Sequence, residues 1–253
     1  MRETLEALAA GELTPSEAET RLRGYATLDA GETTARFDAS RDRRRGIPEG
    51  ILADGKRPAE VAAIAETALE TTGRALVTRA DEPTADRVTS HLAETRPAAT
   101  VDHDPRGRTI LAESPDFTPP ETDGEVAVVT GGGADAGPAR EAATVARAAG
   151  PEVELIEDVG VANLDRLLDV VPDLDADCVV AVAGREAALP TVLAGRVAAP
   201  VIALPVASGY GVGGDGLAAL LSVLQSCTVC SVVNVDAGFV AGSQAALVAR
   251  ATD

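Results

Sequence analysis

Apolar and polar positions fall into two regimes along the chain. After residue 125, five short apolar runs rich in β-branched residues recur, at 126–130, 153–156, 178–182, 201–204 and 232–235. Helical stretches separate them, near 137–149, 162–171, 187–196, 215–226 and 240–250. Strands that alternate with helices predict a parallel sheet with helices on both faces. The runs are almost continuously apolar, as strands covered on both faces require. In such sheets ligands bind beyond the carboxyl ends of the strands. The residues just after each run are therefore the first candidates for chemistry.

The first half has a weaker rhythm. Residues 1–35 read as helices, and Thr14-Pro15-Ser16-Glu17 has the form of a helix start: a Thr cap, Pro at the first position and Glu17 three residues after the cap. Residues 38–49, DASRDRRRGIPE, are basic and turn-rich. A helix is expected from Arg57-Pro58 to Leu69, with Val61, Ile64, Ala65 and Leu69 on one face. Short strands are expected at 75–78 and 109–111, with a helix near 83–94 between them. Residues 113–124 hold three prolines and no apolar period, which marks a linker. The expected organisation is an N-terminal mixed α/β domain over 1–115, a linker over 116–124 and a larger domain over 125–253. The fold class is α/β, with a flavodoxin-like three-layer parallel sheet in the second domain.

Composition changes this picture in three ways. Of the 253 residues 45% are hydrophobic but only 2% aromatic, so Val, Ala, Leu and Ile must build the core. No run approaches the roughly 18 to 20 apolar residues of a membrane helix. The start, MRETLEALAAGEL, carries Glu3, Glu6 and Glu12 where a signal peptide has its apolar region. A cytoplasmic location and no membrane partner are expected. The net charge is −18, with 21 Arg and a single Lys, Lys56. Phosphate backbones repel such a surface, which argues against nucleic acid as a partner. An acidic excess with almost no Lys suggests adaptation to a salt-rich cytoplasm, where self-repulsion is screened.

Candidate chemistry lies where the sheet topology puts it. Gly131-Gly132-Gly133-Ala134-Asp135 follows the first run; such glycines let backbone N–H groups approach a phosphate at a helix start. It is neither a P-loop nor a GxGxxG, and a plain glycine turn reads the same. Gly184-Arg185-Glu186 follows the third run, and Glu186 is either a carboxylate favoured by the helix dipole or a catalytic base. Ser208-Gly209-Tyr210-Gly211 opens a loop with five glycines in twelve residues, a close-approach loop or a mobile lid. Asn234 and Asp236 close the last run; Asp236 suits a metal, a ribose hydroxyl or an ordinary Asx turn. Three cysteines do not make a disulfide framework. Cys178 starts a buried strand and reads as core, whereas spacing leaves Cys227 open between core and reactive thiol. Cys227 and Cys230 form a CxxC after a helix, the wrong place for a thioredoxin motif. Both histidines, His91 and His103, lie in the other half, so a zinc site is not expected.

Taken together these stretches carry a resemblance. GREAALPTVLAGRVAAPVIALPVASGYG is similar to the segment of AIR carboxylase (PurE-like) proteins that runs from a Gly-rich turn through Leu-Pro to a strand ending in Val-Pro-Val. TGGGAD occupies the place of their phosphate-binding loop. Those enzymes use two histidines, and here the places read Val159-Gly160-Val161 and Ala188. The LarB branch fits nearly the whole chain. FDASRDRRRGIPEGILADGKRPAEV, DVGVANLDRLL, GREAALP, GYG, QSC and VNVDAGF resemble its hallmarks in order. Arg185 stands where that family usually has Met, and Ala187 where Gly is common. Ala237 and Val240 replace its Asn and Gly.

The resemblance implies a carboxylase-hydrolase of nickel-pincer cofactor synthesis. Its substrate would be nicotinic acid adenine dinucleotide, its co-substrate CO2 or bicarbonate, and its products AMP and pyridinium-3,5-biscarboxylic acid mononucleotide. It assigns the nucleophile to Cys227 and the acid/base group to Glu186. Substrate contacts would come from the glycine loops, Arg185, Ser208, Tyr210 and Asn234, and from Arg41, Arg44 and Lys56. Mg2+ is an expected cofactor, with Asp135 and Asp236 as candidate ligands. A homo-oligomer, tetramer or octamer, is also implied. Two other readings compete: a purine-pathway carboxylase or mutase, weakened by the missing histidines, and an inactive nucleotide-binding module.

Overall fold

The computed structural model describes residues 2–29 and 34–252. It divides into two compact units, Met1–Thr118 and Pro119–Asp253.

In the N-terminal unit α1 (Arg2–Ala9) and α2 (Pro15–Arg23) precede a hairpin of β1 (Ala26–Asp29) and β2 (Thr34–Phe37). The expected helix start is present: Glu17 accepts from both the backbone and the hydroxyl of Thr14, at 2.6 and 2.7 Å. A helical reading through residue 35 is overturned by the hairpin, with residues 30–33 outside the described residues. Gly24 at φ 78° follows the last helical turn, and Leu28, Ala35 and Phe37 then pack on the core from the two strands. A short helix, α3 (Arg41–Arg45), stands in the basic stretch, and it buries no residue.

A four-stranded sheet follows, in the order β3 (Gly50–Leu52), β4 (Arg74–Thr78), β6 (Thr109–Glu113), β5 (Thr100–Asp104). The pair β3–β4 is parallel, joined by α4 (Pro58–Thr72), and the other pairs are antiparallel. The apolar face expected on α4 is buried, and it packs with Val88 and Leu92 of α5 (Glu82–Thr95) and with Val77 and Ile110 of the sheet.

The C-terminal unit holds five parallel strands: β7 (Glu125–Thr130), β8 (Glu152–Ile156), β9 (Cys178–Ala183), β10 (Val201–Pro205) and β11 (Ser231–Val232). Their order is β11-β10-β9-β7-β8. The chain thus steps outward to β8 and then reverses across β7, the flavodoxin-like arrangement with its switch point between β7 and β9. The inner strands β9 and β10 are buried throughout, which is why their sequences lack polar alternation. The edge strand β8 instead exposes Glu152 and Glu154. β11, the other edge, is shorter than the expected run, and Asn234 and Asp236 lie in the turn beyond it.

Five helices cover the sheet: α6 (Ala136–Ala148), α7 (Leu164–Val170), α8 (Ala188–Ala194), α9 (Leu217–Leu224) and α10 (Gly238–Ala249). The scarcity of aromatics is met by close approach. A Cβ on Gly242 would lie 2.2 Å from the carbonyl oxygen of Ala142, so α10 packs backbone to backbone on α6. Small Ala and Val side chains then fill the interior without large rings.

Candidate functional site

A cavity of about 380 Å3 opens at the carboxyl end of this sheet. The loops after β7, β8, β9 and β10 line it, and it straddles the switch point. Gly131, Gly132 and Asp135 come from the first loop, Gly184, Arg185 and Glu186 from the third, and Ser208 and Tyr210 from the fourth. Eight residues singled out from sequence are thereby brought into one place.

Asp135 holds this arrangement together. Its carboxylate accepts from the Ser208 hydroxyl at 2.9 Å and from the Gly132 N–H at 2.9 Å, and the Gly184 N–H also reaches it. One buried side chain therefore ties three loops. Burial pushes its carboxyl above the ordinary range, and these three hydrogen bonds oppose that shift. Glycine is required beside it for space. A Cβ on Gly160 would lie 2.2 Å from the Gly131 carbonyl oxygen, and one on Gly184 would lie 2.0 Å from the Ser208 hydroxyl.

The loops beyond the carboxyl ends of the strands hold strained backbone. Asp158, Arg185, Ala187 and Asp236 adopt positive φ of 62°, 55°, 47° and 54°. Non-glycine residues hold that conformation only when their surroundings over-determine it, and such residues cluster at functional sites. At Asp158 the cause is visible: its N–H donates to the Thr130 hydroxyl at 3.0 Å, and the next N–H, of Val159, to the Thr130 carbonyl. The Arg185 guanidinium stacks on the Tyr210 ring at 4.3 Å from its centroid, at the cavity mouth. Arg185 is the one cation among the lining residues, beside the carboxylates of Asp135 and Glu186. Glu186 itself is exposed.

Other sequence candidates lie elsewhere. Cys227 sits on the exposed loop after α9 and does not line the cavity. That loop is fastened to α8 by the Thr191 and Ser226 hydroxyls, 3.1 Å apart. Cys178 is buried as expected, and burial pushes its thiol up to about 12. Gly133, Gly209, Gly211, Asn234 and Asp236 are outside the lining set. Asp236 accepts from the Ala207 N–H at 3.1 Å, which ties the turn after β11 to the loop after β10. Arg41, Arg44 and Lys56 belong to the N-terminal unit, where Arg41 pairs with Glu49 at 2.7 Å and Arg44 with Asp38 at 2.6 Å. Gly160, Val161 and Ala162, after β8, line the cavity and were not singled out. Gly160, in the loop after the second apolar run and at the place where the purine carboxylases carry a histidine, was the available signal.

Among the described residues no three His, Cys, Asp or Glu side chains gather as a metal site. Asp135 spends both oxygens on loop donors. The donor set of one chain does not fit an ion held by the protein alone.

Comparison with known proteins places this geometry in a class. A model of the AIR carboxylase family matches residues 125–252, the whole of the five-stranded unit. The protein is thus a carboxylase-family enzyme by its larger domain. A model of the LarB/PurE-like N-terminal domain matches residues 27–114, and with the two domains in this order the chain belongs to the LarB family. It is 29% identical over 257 aligned residues to an uncharacterised protein of Methanocaldococcus jannaschii, covering 99% of this chain and 97% of that one. No helix among the described residues is long and apolar enough to cross a membrane.

Proposed function

We propose that this enzyme carboxylates C5 of the pyridinium ring of nicotinic acid adenine dinucleotide and hydrolyses the phosphoanhydride, releasing AMP and pyridinium-3,5-biscarboxylic acid mononucleotide. The observation that carries this reading is the residue set of the cavity. It offers a carboxylate, Glu186, and a guanidinium, Arg185, and the whole unit contains no histidine. That set is unsuited to a histidine-dependent purine carboxylase and suited to a base acting beside an electron-poor pyridinium ring that bears a carboxylate.

The chemistry follows from the ring. A pyridinium cannot attack CO2 at C5, because it is electron-poor. Addition of a thiolate at the neighbouring carbon gives a dihydropyridine, an enamine nucleophilic at C5. C5 then bonds to CO2, and Glu186 removes the C5 proton. The ring regains aromaticity as the carbon–sulfur bond breaks and thiolate leaves. Cysteine suits the first and last steps as nucleophile and leaving group. Cys227 is the exposed thiol available for it. Arg185 would face the ring carboxylate or a phosphate, and the Tyr210 ring beside it offers a stacking face.

Cys227 lies outside its own chain's cavity, and α9 next to it turns Leu217, Leu221 and Leu224 outward, each at least 51% exposed. Residues at this spacing share one helix face. An apolar face of this kind supports a homo-oligomer in which a second copy covers α9 and Cys227 reaches a neighbouring cavity. Mixing Cys227→Ala with Glu186→Gln subunits tests this. Exchanged oligomers should regain turnover that neither variant has alone. Absence of any regain after demonstrated exchange would show each site to be built within one chain.

A further inference from the structure

A second cavity, of about 460 Å3, lies wholly within the N-terminal unit. It is within the roughly 300–1,000 Å3 span of small-molecule sites. Its position follows from local topology. The units β3, α4 and β4 form a parallel strand–helix–strand crossover, and the loop at the carboxyl end of β3 reads Ala53-Asp54-Gly55-Lys56-Arg57. The loop turns tightly: the Lys56 N–H donates to the Ala53 carbonyl at 3.0 Å, and Gly55 adopts φ 78°. This turn forms one wall of the cavity, and β2 forms another. Among the described residues β2 pairs only with β1 and β3 only with β4, so each keeps an edge of peptide groups without a described strand neighbour.

The charges in the walls do not cancel. Glu49 is paired with Arg41 at 2.7 Å and Glu60 with Arg57 at 2.9 Å. Lys56 donates to an uncharged acceptor, the Leu52 carbonyl, at 2.5 Å. Arg36 is exposed, and among the described residues no carboxylate pairs with it. The uncommitted charge lining the cavity is therefore positive, in a protein of net charge −18. The remaining wall is apolar, formed by buried Phe37, Ile51 and Ile64.

Two cations, an apolar wall and open strand edges suit a ligand with an anionic end, a flat body and groups able to pair with peptides. We propose that this cavity binds a nucleoside monophosphate, with its phosphate on Arg36 and Lys56 and its base against Ile51 and Ile64. The choice of AMP as probe rests on the function proposed above, whose reaction releases it. Lys56 had been singled out from the sequence, whereas Arg36 joins it only through the fold.

The test is calorimetric titration of AMP, and separately of inorganic phosphate, into the full chain. The proteins are wild type, the double variant Arg36→Ala/Lys56→Ala, and Arg185→Ala in the other cavity. All three side chains are exposed, so each variant is expected to fold, and thermal unfolding checks it. The double variant should bind AMP at least about tenfold more weakly, as expected for charge-assisted contacts to a phosphate. Arg185→Ala, which alters the cavity whose reaction releases AMP, should keep the component of AMP binding that the double variant loses, and phosphate should bind wild type at least about tenfold more weakly than AMP. Unchanged AMP affinity in the double variant overturns the proposal, as does loss of AMP binding in Arg185→Ala or equal affinity for phosphate. Dinucleotide turnover in the same proteins separates the two claims. AMP binding through Arg36 and Lys56 without turnover removes the proposed function and leaves this site. Turnover without AMP binding does the reverse.

Discussion

In the proposed reaction Glu186 is the base and Cys227 the nucleophile, and their loss should look different. Glu186→Gln keeps the shape of the cavity and removes the base, so turnover should fall by about 10²–10⁴-fold with KM little changed. Cys227→Ala removes the step that makes the ring nucleophilic, so dinucleotide should still bind and no carboxylated product form. Steady-state kinetics and a binding titration on both variants check this. Asp135 gives a different signature, because it acts through the loops. Burial raises its carboxyl pKa in the folded state. An acid shifted upward favours the folded protein below its unfolded pKa, and that contribution is lost as pH rises through the window up to the folded pKa. Asp135→Asn retains an acceptor for Gly132 and can reverse the Ser208 bond. Its stability relative to wild type should therefore rise as pH increases through that window. Parallel unfolding temperatures across pH would contradict a raised pKa.

At the level of elements, the loops are held by contacts that a methyl group can probe. Gly160→Ala would drive a Cβ against the fixed backbone carbonyl of Gly131, at a cost of about 1–3 kcal/mol. Gly184→Ala clashes chiefly with the Ser208 hydroxyl, which can rotate away, and presses more lightly on Ser208 Cβ at 3.3 Å and Val206 Cγ2 at 3.4 Å. It should change stability less but break the Ser208–Asp135 bond, and so harm turnover more than folding. Denaturant melts and activity assays on the two variants distinguish these outcomes. The same contrast explains what the sequence reveals. β9 and β10 were legible because burial on both faces forces unbroken apolar runs. β5, Thr-Val-Asp-His-Asp, has four exposed residues of five, and its pairing is dictated by β6 rather than by its own pattern. The helix α3 has no apolar face to announce it. In the site, the glycines and Glu186 stood out by position after a strand. The Arg185–Tyr210 stack did not, because two loops distant in sequence create it.

For the whole molecule, charge and assembly dominate. A net charge of −18 repels itself in dilute buffer, and molar salt shortens the screening length to about 3 Å. The unfolding temperature should rise from dilute buffer to molar salt, and a flat response would remove the case for a salt-adapted protein. The ion pair between Arg44 and Asp38, whose carboxyl that guanidinium holds below its usual range, adds little to this balance because it is largely exposed. The three exposed leucines of α9 are the face that the proposed homo-oligomer would cover.

The most direct test of the proposed function is incubation with nicotinic acid adenine dinucleotide and bicarbonate in high salt, with and without Mg2+, followed by mass spectrometry of wild type and Cys227→Ala. Wild type is expected to give AMP and pyridinium-3,5-biscarboxylic acid mononucleotide, and Cys227→Ala neither carboxylated product nor a carbon–sulfur adduct. Wild-type protein that binds the dinucleotide and returns it unchanged under both conditions would contradict the reaction proposed here.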